Sequence, residues 1–141
     1  MQKVVPQKDI QSILSGDFGT VRKSVAQASH VSMLKTLAEI YYGLRLDFDH
    51  KSFTFNDKTY GRIRYTVEDE SSLDYSIDVP GYTYPYTGRG FLGTDKVIVP
   101  EYMQTEMDYL NGSIFEIVDA NTGEVIETYV FDKNQKIWKL Q

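Results

Sequence analysis

Tyr82, Tyr84 and Tyr86 alternate with Thr83 and Pro85, and Thr87-Gly88-Arg89-Gly90-Phe91 follows directly. In extended backbone, residues two apart share a face, so the three phenol rings project together. The glycines permit positive φ and close approach of another group. Successive amides in such a turn form an anion-binding nest, and Arg89 adds a planar, permanently charged donor fork. This is binding chemistry rather than bond-breaking chemistry. Tyr and Arg are also the residue types that dominate protein interfaces. Tyr82, Tyr84, Tyr86, Arg89 and Phe91 are therefore the expected interface or ligand-binding residues. Gly88 to Gly93, GRGFLG, lacks the Gly-Lys-Ser/Thr ending of a phosphate-binding loop, and no strand–helix unit surrounds it as a dinucleotide fingerprint requires.

Other chemically capable residues are sparse. Asp47, Asp49 and His50 offer carboxylate and imidazole ligands that suit divalent ions. Their placement on the polar side of a strand entering a turn explains them equally well, and no metal is expected. Two histidines and no cysteine give little support to a nucleophilic triad. His30 falls at a helix boundary. No spacing singles out an acid–base pair from twenty acidic residues, so neither enzymatic activity nor a cofactor is expected. Arg62 and Arg64 share a strand face with Tyr60, a small basic-aromatic patch of the kind that binds nucleic acid. Glu68, Asp69, Glu70 and Asp74 nearby point instead to cross-strand ion pairs. The same acids allow a third idea, an acidic mimic of nucleic-acid phosphates.

The elements that must position these residues follow from composition and period. The 141 residues fit one domain, with 41% hydrophobic and 13% aromatic residues to build a core. The net charge of −5 disfavours sequence-independent nucleic-acid binding. No apolar run reaches the ~20 residues that span a bilayer, so no membrane is expected. Residues 1–10 lack the apolar core of a signal peptide, which predicts an intracellular or virion setting.

Spacing predicts three helices first. Residues 7–14 carry Ile10, Ile13 and Leu14 on one face. Asp17 caps a second helix with Phe18, Val21, Val25 and Ala28 at helical spacing. A third runs from about Val31, with Leu34, Leu37, Ala38, Tyr41 and Leu44 as its stripe and Gly43 as its stop. From Leu44 the period becomes two. Strands are predicted over Leu44–Asp49, around Phe53 and Phe55, over Tyr60–Val67 and from Leu73 to Val79. A loop over 78–103, expected to be ordered, interrupts them. It holds three of the four prolines, four of the ten glycines and four of the eleven tyrosines. Val97–Val99 reads as a short strand, and Glu101–Leu110 as a helix begun by Pro100. Asn111-Gly112 ends that helix or, alternatively, makes a type I′ hairpin turn. Ile114–Val118, Glu124–Phe131 and Ile137–Leu140 complete a meander.

The segments SGDFGTV and YVFDKNQKIWKLQ resemble the opening helix and closing strands of the NTF2-like superfamily. That resemblance implies a cone-shaped α+β fold and carries no functional residue. The pattern itself predicts a single α+β domain over 1–141, with three helices on one face of a curved, mostly antiparallel sheet. The expected function is a non-enzymatic structural or interaction subunit of a larger protein assembly, such as a phage virion, docking on other subunits through the 80–95 loop. The alternatives are a small-ligand-binding or inhibitor protein with a pocket lined by Tyr82, Tyr84, Tyr86 and Arg89, and the acidic mimic.

Overall fold

The computed structural model describes residues 1–44, 46, 53–75, 91–93 and 97–141. The chain is mixed α and β. Its main sheet is antiparallel and five-stranded, in the order β1 (Gln2–Val5), β3 (Thr59–Arg64), β8 (Ile114–Asp119), β9 (Val125–Asp132) and β10 (Ile137–Leu140). A second sheet has the order β2 (Thr20–Val25), β7 (Tyr102–Asp108), β4 (Leu73–Tyr75). A third pairs β5 (Phe91–Gly93) with β6 (Ile98–Pro100). Gln2 and Ala26 exchange backbone hydrogen bonds of 2.7 and 3.0 Å, which joins the edge of the first sheet to the end of β2.

The first expected helix forms as a 3-10 turn over Gln7–Asp9 running into α1 (Ile10–Leu14), with Ile10 and Ile13 buried. The third is α2 (Leu37–Gly43), shorter at its start than the periodicity predicted. Thr36 and Glu39 explain the late start. The Thr36 hydroxyl accepts from Glu39 N, and the Glu39 carboxylate accepts from Thr36 N, both at 3.2 Å, closing a capping box. Residues 28–34 turn instead through short i→i+3 bonds. Leu44 caps α2 rather than opening a strand, and Leu46 lies in a 3-10 turn.

Two expected helices are strands. Residues 20–25 form β2, which pairs with β7, and β7 occupies most of the predicted Glu101–Leu110 helix. The SGDFGTV segment is accordingly a turn leading into a strand, not an opening helix. Phe53 precedes and Phe55 lies within a turn, closed by Asp57 N donating to Thr54 O at 3.1 Å, rather than forming a strand. Asn111-Gly112 turns the chain without a type I′ hairpin. Ser113 N donates to Leu110 O, and Gly112 takes φ +81° while Asn111 stays at negative φ. A type I′ turn needs positive φ at both. The described residues of the 78–103 span, 91–93 and 97–103, hold β5, β6 and the start of β7. The terminal meander forms as predicted.

The five-stranded sheet has two differently covered faces. One packs against α1 and the second sheet through Ile63, Tyr109, Phe115, Phe131 and Trp138. The other is covered at one end by α2 and the preceding turns, where Val31, Leu34, Leu37 and Ile40 meet Tyr60 and Val118. Among the described residues, no helix is long and apolar enough to cross a membrane.

Candidate functional site

The uncovered end of that second face carries the densest charge chemistry in the described structure. Arg62 and Arg64 sit two apart on β3 and so share a face. Glu116 on β8 lies directly opposite Arg62, with Ile114 opposite Arg64. Glu116 is buried, and its two carboxylate oxygens are divided between the guanidiniums, Oε2 to Arg62 Nε and Oε1 to Arg64 Nη2. A buried carboxylate needs such pairing to be tolerated. One negative charge thus faces two positive ones. The Arg64 side chain stays 39% exposed, yet its Nε–H is buried with no acceptor among the described residues. An unmet buried donor costs roughly 1–3 kcal/mol.

Lys35 approaches from the turns before α2, and its backbone is held on two sides. The fully buried Tyr60 hydroxyl donates to Lys35 O at 2.6 Å and also receives a hydrogen bond from Arg62. Burial, the largest influence, pushes the Tyr60 phenol up to about 12, with the Arg62 charge acting the other way. On the far side Gly123 adopts φ +76°. A Cβ there would sit 2.6 Å from Lys35 Cβ and 2.9 Å from its carbonyl carbon. Only glycine fits this approach. Leu37 N donates to Ala120 O at 2.8 Å, fastening the same segment to the β8–β9 turn.

Together these elements enclose a cleft of about 310 Å³ lined by Gln2, Ser32, Lys35, Arg62, Arg64 and Gly123, with Ala28 and Val31. Its lining carries three cations and no carboxylate, because Glu116 stands behind the guanidiniums. Chemically it can hold an anion.

A second surface is aromatic. Tyr41 and Tyr42 of α2 meet Phe55, with ring centroids 4.5 Å (Tyr41–Phe55), 5.7 Å (Tyr41–Tyr42) and 5.8 Å (Tyr42–Phe55) apart. Tyr42 is 59% and Phe55 56% exposed. A third feature lies along β1, where half-buried Lys3 donates to Ser24 O at 3.3 Å. Burial pushes its amine down to about 8, assisted by the Lys23 and Arg22 cations and opposed by Glu101. Lys23 itself takes φ +65° at a β-bulge.

Of the residues singled out by sequence, Tyr82, Tyr84, Tyr86 and Arg89 lie outside the described residues, as do Asp47, Asp49 and His50. Phe91 opens β5 opposite Pro100. His30 ends a 3-10 turn, with Nδ1 buried and unpartnered among the described residues. The expected face shared by Tyr60, Arg62 and Arg64 exists, but the arginines pair with Glu116 and not with Glu68, Asp69, Glu70 or Asp74. The residues 68–74 lie at the 3-10 turn and β4, and β4 joins the other sheet. Sequence reasoning missed Glu116, Lys35 and Gly123. One signal was available: a lone charge inside the apolar run Ile114-Phe115-Glu116-Ile117-Val118. The chain matches no protein-family model, no curated protein and no solved structure.

Proposed function

We propose that this protein is a non-enzymatic interaction or structural subunit that docks on other protein chains. The observation that carries the reading is the Tyr41–Tyr42–Phe55 cluster, whose outer two rings are more than half exposed. Aromatic rings already packed on one another lose little conformational freedom on binding, and they are the side chains on which interface energy concentrates. The composition of the 80–95 loop supports the same reading. Tyr82, Tyr84, Tyr86, Arg89 and Phe91 supply the residue types of an interface anchor, and in this proposal they form a second contact.

Photo-crosslinking tests the proposal. A photoreactive residue placed at position 42 of the otherwise intact chain should give one discrete heavier protein adduct in extract of the native cells, or a defined homo-oligomer when purified. The adduct should fade with Phe55→Ala. A pattern at position 42 indistinguishable from one at exposed Glu124 would sink the reading.

A further inference from the structure

We infer that the cleft between the β3–β8 face and the Lys35 segment is an oxyanion site that takes a small phosphate-bearing ligand. Four features converge on it, none of which depends on the docking proposal.

The charge balance comes first. In a chain of net charge −5, this cleft gathers Arg62, Arg64 and Lys35. The one carboxylate behind them has both oxygens already committed. A dianion entering the cleft meets an unbalanced positive field in a partly enclosed space, where charge interactions are stronger than in water.

Donor geometry comes second. Guanidinium forks match the oxygen spacing of phosphate, and a Lys ammonium adds a point charge from another direction. Arg64 commits Nη2 to Glu116, its Nε–H has no acceptor among the described residues, and its side chain stays 39% exposed. Gln2 lines the same wall.

The third feature is rigidity. Glu116 fixes the two arginines from behind, and the Tyr60 hydroxyl and Gly123 fix the Lys35 backbone. The two guanidiniums and the Lys35 backbone are held in place before any ligand arrives, which lowers the entropic cost of binding.

Size is the fourth. A volume of about 310 Å³ lies at the small end of ligand sites, so the ligand is a phosphate with a small appendage, not a nucleic-acid strand.

Calorimetric and amide-shift titrations of the full chain at fixed ionic strength provide the test, with pyrophosphate and inorganic phosphate as probes and citrate as the carboxylate control. The expected result is saturable binding of pyrophosphate, weaker binding of phosphate, little response to citrate, and shifts at the amides of residues 35, 62, 64 and 123. Arg64→Gln should weaken pyrophosphate about tenfold, the loss of a charged hydrogen bond. Lys35→Ala alters an exposed side chain on the surface and keeps the test informative if Arg64→Gln fails to fold; it should weaken binding by a smaller factor. Glu116→Gln, which removes the negative charge behind the guanidiniums while its amide oxygen still orients one of them, should tighten it. Non-saturating titrations, citrate binding as tightly as pyrophosphate, or unchanged affinity in Lys35→Ala would each overturn the assignment.

Discussion

The two faces of the five-stranded sheet are built from alternate residues of the same strands, yet they do opposite things. On one face Phe115, Phe131, Trp138 and Tyr109 stack with centroids 5.0–5.7 Å apart, and the second sheet covers them. On the other, one residue along from Phe115, Glu116 is clamped between two arginines beside an open cleft. The first face obtains its stability from area removed from water. The second holds charged groups whose burial roughly cancels their attraction. A strand whose neighbouring residues serve packing and charge placement separates the two at a spacing of one residue.

The largest test of this division is Phe115→Ala. Phe115 is fully buried, and its loss should cost about 3–5 kcal/mol in urea unfolding. A loss under ~1 kcal/mol would mean that the aromatic face is not the core. Glu116→Ala should cost about 2–3 kcal/mol, at or below the low end for a broken buried ion pair, because Arg64 keeps partial access to water. The sharper experiment replaces all three members with apolar residues (Arg62→Met, Arg64→Met, Glu116→Leu), which should return stability to near the parent value. If the triple variant is as unstable as Glu116→Ala, the charged triad contributes to stability and the contrast between the faces fails.

Gly123→Ala comes next. It combines a positive φ with a clash on the Lys35 backbone and should cost about 1–3 kcal/mol, while shifting the Lys35 amide resonance. A neutral Gly123→Ala would show that the Lys35 segment is loosely held. The smallest effect is electrostatic. Lys3 on β1 has its amine pushed down to about 8 from 10.5 when folded. Between those values the unfolded chain holds a proton that the folded chain has released. Stability should therefore rise from about pH 8 to about pH 10.5, with no contribution to the slope below pH 8. Denaturation curves across that window should lose the slope in Lys3→Met; an unchanged slope would show that other groups produce it.

The legible parts of the sequence were those where only one period fits. In β8 to β10, β-branched and aromatic residues alternate between Asx-rich turns, and the predicted meander formed with the predicted pairing. The α2 stripe was legible only in part: Leu37 is buried as expected, but Ala38 is exposed, Leu34 lies before the helix and the fully buried Ile40 was missed, while Gly43 does end the helix, where a Cβ would press on Leu34. The failures share a cause. Val21 and Val25 are four apart, as are Met103 and Met107. Four is close to one helical turn, and it is also an even number, so Val21 and Val25 equally share the buried face of a strand, while the register shift between β2 and β7 leaves only Met107 of the methionine pair packed on the core. Nothing local separates the two readings. β2 and β7 decide each other, since each supplies the backbone hydrogen bonds that the other would lose by leaving a helix.

The sequence by itself determined the composition of a foldable mixed chain, the terminal hairpins, a helix ending at Gly43 and the shared face of Tyr60, Arg62 and Arg64, because each rests on period and turn chemistry within a few residues. Only the tertiary structure decided that Glu116, fifty-four residues on in the chain, would stand opposite Arg62, and that Tyr60 and Gly123 would pin Lys35 beside them. Those partners are set by strand register and by which segments cover which face, and neither is encoded locally.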